Sequence, residues 1–134
     1  MSNSGPPWVT TVAVSVIVNN VPVISVPANE AAIGIVNRYS GSDTGYQVLC
    51  QWTVGALKIG QLAEVSMVVD VFASALWKLT VGAVTVMLDD AIQTALTLPF
   101  ANVSLAAGTV VTLSVKSSGA AIVADGSISG KEIG

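Results

Sequence analysis

Apolar and polar residues alternate with a period of two along most of this chain, which is the pattern of strands that bury one face. In residues 61–72, valines and Met67 occupy every second position, and largely polar side chains separate them. An α-helix would scatter such residues around its axis. The same alternation occurs in residues 8–18 and 109–116. The sequence therefore predicts half-buried strands of the antiparallel type.

Glycine, proline, asparagine and aspartate interrupt the alternation at intervals of roughly 8 to 15 residues, as turns do in sandwiches and barrels. This spacing predicts about nine or ten strands and almost no helix. Residues 92–98 would also suit a short helical turn, although Thr94 and Thr97 favour a strand. The predicted strands are residues 8–18, 21–26, 32–39, 46–54, 61–72, 76–81, 84–88, 92–98, 109–116 and 120–126.

Two antiparallel sheets packed face to face accommodate these strands in 134 residues, so the predicted fold is an all-β, jelly-roll-like sandwich. An immunoglobulin-like sandwich is the main alternative, but it usually has fewer strands. The length fits one domain. We expect residues 1–7 to form an N-terminal arm and residues 8–134 to form a single β-sandwich domain.

Charged residues make up only 10% of the sequence and apolar residues 52%, whereas a typical globular protein is about 25% charged. A monomer of this composition would expose large uncharged patches, and such patches usually mark binding surfaces. The composition therefore predicts that other subunits cover parts of the surface.

A membrane protein is the competing explanation for the high apolar content. The most apolar stretch, residues 8–26, includes polar residues and Pro22, and it lacks the run of about 20 apolar residues that a spanning helix needs. We therefore expect no membrane association. No basic residue precedes this stretch, so we also expect no secretory leader. The five lysines and arginines form no cluster, so nucleic-acid binding is not expected.

The sequence contains no histidine and one cysteine, which removes Ser-His-Asp and Cys-His catalysis and the usual zinc ligands. Cys50 alternates with Val48 and Trp52, so we interpret it as a core residue. Asp89 and Asp90 are adjacent in an expected turn, where aspartate is favoured for its backbone hydrogen bonds. The sequence thus predicts no catalytic residue, no cofactor site and no metal site, and a protein that is not an enzyme.

Aromatic and proline residues are the remaining candidates for contact with a partner. Trp77 precedes Lys78 and is expected at a sheet edge, whereas Pro6, Pro7 and Trp8 belong to the arm or adjoin it. We therefore predict partner contacts at Pro6, Pro7, Trp8 and Trp77. The tryptophans could alternatively stack on sugars, which leaves a carbohydrate-binding role open.

Three segments carry a resemblance to a known class of viral proteins. They are residues 36–45 (VNRYSGSDTG), 107–119 (AGTVVTLSVKSSG) and 126–134 (GSISGKEIG). With these segments, its strand pattern and its low charge, the chain resembles the decoration, or cement, proteins of tailed-bacteriophage capsids and the related trimeric head-fibre domains.

This resemblance implies a structural virion protein that forms a homotrimer on the capsid exterior. Such a trimer would lie at local threefold positions and clamp neighbouring major capsid protein subunits together. The resemblance also implies assembly in the host cytoplasm and no active site to carry over. A phage fibre, or a receptor-binding or carbohydrate-binding β-domain, is the alternative that the sequence leaves open.

Overall fold

The computed structural model describes residues 29–134, which form a sandwich of two antiparallel sheets with four strands each. A single turn of 3-10 helix, Phe72–Ser74, joins the third strand to the fourth. The predicted arm, residues 1–7, and the predicted strands 8–18 and 21–26 lie outside the described residues. The strands are β1 (Glu30–Gly41), β2 (Gln47–Thr53), β3 (Ile59–Val69), β4 (Ala75–Val81), β5 (Val84–Asp90), β6 (Leu96–Leu105), β7 (Val110–Ser117) and β8 (Ile122–Ile133).

The strand order is β1-β8-β3-β6 in one sheet, which we call sheet A, and β2-β7-β4-β5 in the other, sheet B. The strand pairs are nested, because β4 pairs with β5, β3 with β6, β2 with β7 and β1 with β8. A long hairpin rolled into two sheets has this connectivity, which is that of a jelly roll. The predicted all-β, jelly-roll-like sandwich is confirmed, and every strand predicted between residues 32 and 126 has a counterpart.

The core lies between the two sheets and is built from the side chains that alternate inward. In β3, Val65 and Met67 are buried, and in β7 Val111, Leu113 and Val115 are buried. Removing apolar surface from water stabilises the fold by roughly 25 cal/mol per Å², which makes these residues the main source of stability. The alternation predicted for these two strands is confirmed.

β2 departs from simple alternation. Its register with β7 shifts between Val48 and Cys50, so Leu49 has no partner residue in β7. Leu49 and Cys50 are both buried, whereas Val48 is 59% exposed, because a β-bulge changes which side chains face inward. Cys50 and Trp52 are core residues as predicted, but the prediction that Val48 shares their face is wrong. Burial raises the pKa of the Cys50 thiol, which keeps the thiol protonated and unreactive.

β8 is longer than the sequence predicts, since it continues to Ile133 instead of ending at residue 126. Gly126 and Gly130 lie inside this strand because other residues approach them closely. A Cβ on Gly126 would lie 2.7 Å from Leu113 Cδ2, and one on Gly130 would lie 2.2 Å from the backbone oxygen of Gln61. A glycine inside a strand often marks a close approach of this kind, and it does not have to end the strand.

β6 also differs from its prediction, because it begins at Leu96 instead of residue 92 and includes Pro99. Proline is tolerated there since β6 is an edge strand of sheet A. Ala101 and Asn102 follow with φ of 50° and 59°, opposite a register shift in β3, so β6 bulges at this point. The predicted strands 61–72 and 92–98 exclude Gly60 and Pro99 as turn residues, which is wrong because both residues lie inside strands.

Candidate interaction surface

The predicted partner contact at Trp77 does not lie at the surface. β4 is an inner strand of sheet B, between β7 and β5, and the Trp77 side chain is fully buried. The expectation that Trp77 lies at a sheet edge is therefore wrong, because the neighbouring Lys78 carries no information about strand order. Pro6, Pro7 and Trp8, the other predicted contacts, lie outside the described residues.

Trp52 is buried as well, and its Nε1 donates a hydrogen bond to Glu132 Oε2 at 2.8 Å. Neither Trp52 nor Trp77 therefore presents a ring face on which a sugar could stack. The sugar platform that the sequence leaves open is not formed by these two tryptophans.

The two ends of the sandwich differ in chemistry, and one of them, which we call the arm end, is where the described chain begins. Hydrogen bonds from Val54 N–H to the Thr109 oxygen, at 2.9 Å, and from Gly134 N–H to the Asn29 oxygen, at 3.2 Å, tie this end together. The arm end consists of the loops 54–58, 82–83 and 106–109 together with Asn29 and Gly134.

The loops of the arm end are almost uncharged, whereas the strand ends beside them carry Glu30, Lys131 and Glu132. Lys58 is the one charged residue in its three loops, which otherwise contain glycine, alanine, valine, leucine and threonine. Leu57 is 95% exposed, and Val84 and Ile59, which begin the adjoining strands β5 and β3, are 63% and 54% exposed. Large exposed apolar patches often mark binding surfaces, which makes the arm end the candidate interaction surface.

The opposite end, which we call the aspartate end, is acidic. Asp43 accepts a hydrogen bond from the Tyr39 hydroxyl at 2.5 Å, and Asp70 accepts one from the Val123 N–H at 2.9 Å. These bonds fix the loops that carry the two aspartates, as expected for Asp43 in a turn. The aspartates at this end are Asp43, Asp70, Asp89 and Asp90.

Tyr46 is the centre of a polar cluster near the aspartate end. Its hydroxyl donates a hydrogen bond to Asp89 Oδ1 at 2.6 Å, and Lys116 Nζ lies 3.1 Å from the same oxygen. The Nζ atoms of Lys116 and Lys78 lie 4.7 and 5.7 Å from the centre of the Tyr46 ring, within range of cation–π attraction.

The turn predicted at Asp89 and Asp90 is wrong, because both residues belong to the end of β5. No local sequence pattern reveals a contact between residues so far apart.

The surroundings of Tyr46 keep its hydroxyl protonated. Burial, followed by the hydrogen bond to Asp89, raises the pKa of Tyr46 to about 12. The hydrogen bond from Tyr46, followed by that from Lys116, lowers the pKa of Asp89. A phenol that stays protonated and a carboxylate that stays ionised exchange no proton near neutral pH, so we interpret the cluster as structural.

We expect the free energy of unfolding to fall as the pH rises from about 10, the usual pKa of tyrosine, towards 12. The folded state holds the Tyr46 proton more tightly than the unfolded state, so this stabilisation is present below pH 10 and is lost as Tyr46 ionises. Urea unfolding of wild type and Tyr46→Phe across this range checks it. The difference in stability between the two proteins should shrink with rising pH, and a constant difference would contradict the prediction.

The outer face of sheet A carries two ion pairs. They join Arg38 to Asp125, at 2.7 Å, and Lys131 to Glu30, at 3.2 Å. Exposed pairs such as these contribute only about 0 to 1 kcal/mol each to stability. A groove of about 230 Å³ crosses this face, lined in part by Val36, Ser66, Val68, Leu96, Thr97 and Ser127.

Within residues 29–134, no three His, Cys, Asp or Glu side chains converge as a metal site requires. The same part of the chain contains no helix with the length and apolarity needed to cross a membrane. No known protein family, curated protein or solved structure matches the chain. The arm end and the fold are therefore the observations from which a function can be argued.

Proposed function

We propose that this protein is a structural virion protein, a decoration or cement protein that lies on the capsid exterior and stabilises the shell by binding between major capsid protein subunits. The observation that carries the proposal is the arm end, where Leu57, Ile59 and Val84 are exposed beside loops with a single charged residue. The jelly roll supports it, because many viral capsid domains have this fold. The resemblance of the sequence to phage decoration proteins supplies the class.

Burial of the arm end would provide the free energy of binding. Apolar surface removed from water contributes about 25 cal/mol per Å² before the costs of association. Taking charged groups out of water is expensive, and the arm-end loops carry only Lys58. Burial of these loops therefore meets little opposing cost from desolvated charge as long as the ion pair of Lys131 and Glu30, on the adjoining strand ends, stays in solvent.

The contrast between the two ends suggests an orientation on the shell. The arm end faces the assembly, whereas the aspartate end faces solvent, because burying its carboxylates would be costly. Residues 1–28, which include Pro6, Pro7 and Trp8, precede Asn29 in the sequence, and we propose that Pro6, Pro7 and Trp8 contact a partner as well. The proposed partners are further copies in a homotrimer and the major capsid protein, with no nucleic acid and no membrane.

Mass spectrometry of particles tests this function. Particles are purified on a density gradient from the culture that produces the chain, and their proteins are identified and quantified. We expect the chain to sediment with a more abundant shell subunit at a fixed ratio. We also expect limited proteolysis of intact particles to cleave it before the shell subunit, because it lies outside. Recovery of the chain only in the unsedimented fraction, while shells form normally, would contradict the proposal.

A further inference from the structure

Among residues 29–134, β1 is the one edge strand that pairs with its neighbour without interruption. Its 12 residues lie opposite β8 with no shift of register, whereas the pairing of each other edge strand, β2, β5 and β6, is interrupted by a shift. Irregularities of this kind hinder an edge from accepting a further strand. β1 lacks this protection, so its outer edge is suited to pair with another strand.

The outer edge of β1 presents backbone groups at every second residue. The Gly134 N–H donates to the Asn29 oxygen at 3.2 Å, and hydrogen-bonded pairs alternate along an antiparallel ladder. The odd-numbered residues of β1 therefore bond to β8. It follows that the N–H and C=O groups of Ala32, Gly34 and Val36 point away from β8, towards the outer edge.

The open part of this edge matches the segment that precedes it in the chain. The edge is closed at Arg38, whose N–H donates to Asn37 Oδ1 at 2.9 Å, so residues 30–36 are the part left without a neighbouring strand in the described chain. Residues 21–26 (VPVISV) have nearly the same length. Only residues 27–29, Pro-Ala-Asn, join the two segments, and a short connection of such residues is typical of a turn between paired strands.

The side chains along this part of β1 are incompletely covered. Ile33 and Ile35 pack against the core but are only half-buried, and Val36, on the outer face, is 80% exposed. A neighbouring apolar strand would remove all three from water, which is favourable. Residues 21–26 contain four β-branched apolar residues and no charge, a composition that suits a strand in this position.

We propose that residues 21–26 pair antiparallel with β1 of the same chain and form the outermost strand of sheet A. Pro22 has no N–H to donate, so it lies opposite a residue that bonds to β8, Ile33 or Ile35. The alternate residues of the segment, such as Val23, then donate their N–H groups to β1. The added strand prevents β1 from pairing with the edge of another molecule. This inference does not depend on the proposed function.

Amide hydrogen exchange of the full-length chain, followed by NMR, tests this pairing. We expect the N–H groups of Ala32, Gly34 and Val36 to exchange at least about 100-fold more slowly than in a variant that lacks residues 2–26. A variant that lacks residues 2–20 is the matched control, because it keeps the proposed strand. Its three amides should exchange as slowly as those of the full-length chain.

The N–H groups of Ile33 and Ile35 report whether each variant is folded, since they bond to β8 and not to the proposed strand. They should stay protected in all three proteins. If the amides of Ala32, Gly34 and Val36 exchanged as fast in the full-length chain as in the shorter variant, while Ile33 and Ile35 stayed protected, the proposal would be overturned.

Proline substitutions test the direction in which the N–H groups of the added strand point. Val23→Pro removes an N–H that bonds to β1, so it should speed exchange of the three β1 amides at least about tenfold. Ile24→Pro is the matched control, because the Ile24 N–H points away from β1, and exchange should change much less. Equal effects of the two substitutions would contradict the proposed pairing.

Isotope-filtered nuclear Overhauser spectra of mixed labelled and unlabelled chains identify the copy that supplies the strand. Contacts of Pro22 or Ile24 with Ile33 and Ile35 should arise within one chain only. Contacts between labelled and unlabelled chains would overturn the proposal, because residues 21–26 of another copy would then cover β1.

Discussion

Trp77→Ala should lower the free energy of unfolding by about 3 to 5 kcal/mol, the usual cost of replacing a buried tryptophan with alanine. The Trp77 side chain is fully buried, in a strand flanked on both sides by β7 and β5. Typical domains are stable by only about 5 to 15 kcal/mol, so this substitution removes much of the total. Urea unfolding followed by circular dichroism measures the loss.

Trp77→Phe is the matched control for this prediction. The Trp77 Nε1 is buried and has no hydrogen-bond partner among residues 29–134, and an unsatisfied buried N–H costs about 1 to 3 kcal/mol. Phenylalanine removes this group and keeps much of the apolar volume, so we expect a smaller loss than for alanine. If Trp77→Ala instead left stability within about 0.5 kcal/mol, as surface substitutions do, Trp77 would be a surface residue and a partner contact as the sequence suggested.

The strands could be predicted because alternation is a local property of the sequence. In β3 Val65, Met67 and Val69, and in β7 Val111, Leu113 and Val115, recur at every second position, and any sheet that buries one face requires that spacing. The sandwich follows from the number of strands and their spacing. The order of the strands within each sheet does not follow, because it depends on contacts between distant residues, and for this reason Trp77 was wrongly placed at an edge.

The errors in detail have the same physical origin. Val48 was predicted to face the core, but the bulge at Leu49 reverses the alternation there, and a bulge leaves no mark in the apolar pattern. The sequence prediction ended β8 at residue 126 because glycines are common in turns. These glycines instead leave space for close neighbours, which are the Leu113 side chain at Gly126 and the Gln61 backbone at Gly130. Only the folded structure shows that these groups lie so close.

That other molecules cover part of the surface stays a prediction, and the sequence did not indicate where they would bind. Low charge indicated that other molecules cover part of the surface, yet it could not say which part. The arm end is assembled from three loops far apart in sequence, and the jelly-roll connectivity is what brings them together. Nothing in the sequence distinguishes Leu57 from the leucines of the core, because its exposure depends on the folded loop.

The effect of the arm on shell binding is the second large prediction. Deletion of residues 2–10, with Met1 retained, should lower occupancy on shells at least about tenfold, because tryptophans such as Trp8 often dominate interfaces. Pro6, Pro7 and Trp8, the proposed partner contacts of the arm, all lie in the deleted segment. Purified variants are mixed with shells that lack the chain, and bound protein is quantified after sedimentation.

Deletion of residues 2–5 is the matched control for the arm, because it shortens the chain but keeps Pro6, Pro7 and Trp8. We expect this variant to bind shells like the wild type. The melting temperature of each variant is measured in parallel, so lower occupancy at an unchanged melting temperature reports a lost contact and not a lost fold. Full occupancy after deletion of residues 2–10 would show that the arm does not reach the shell, and binding would then depend on the exposed side chains of residues 29–134 alone.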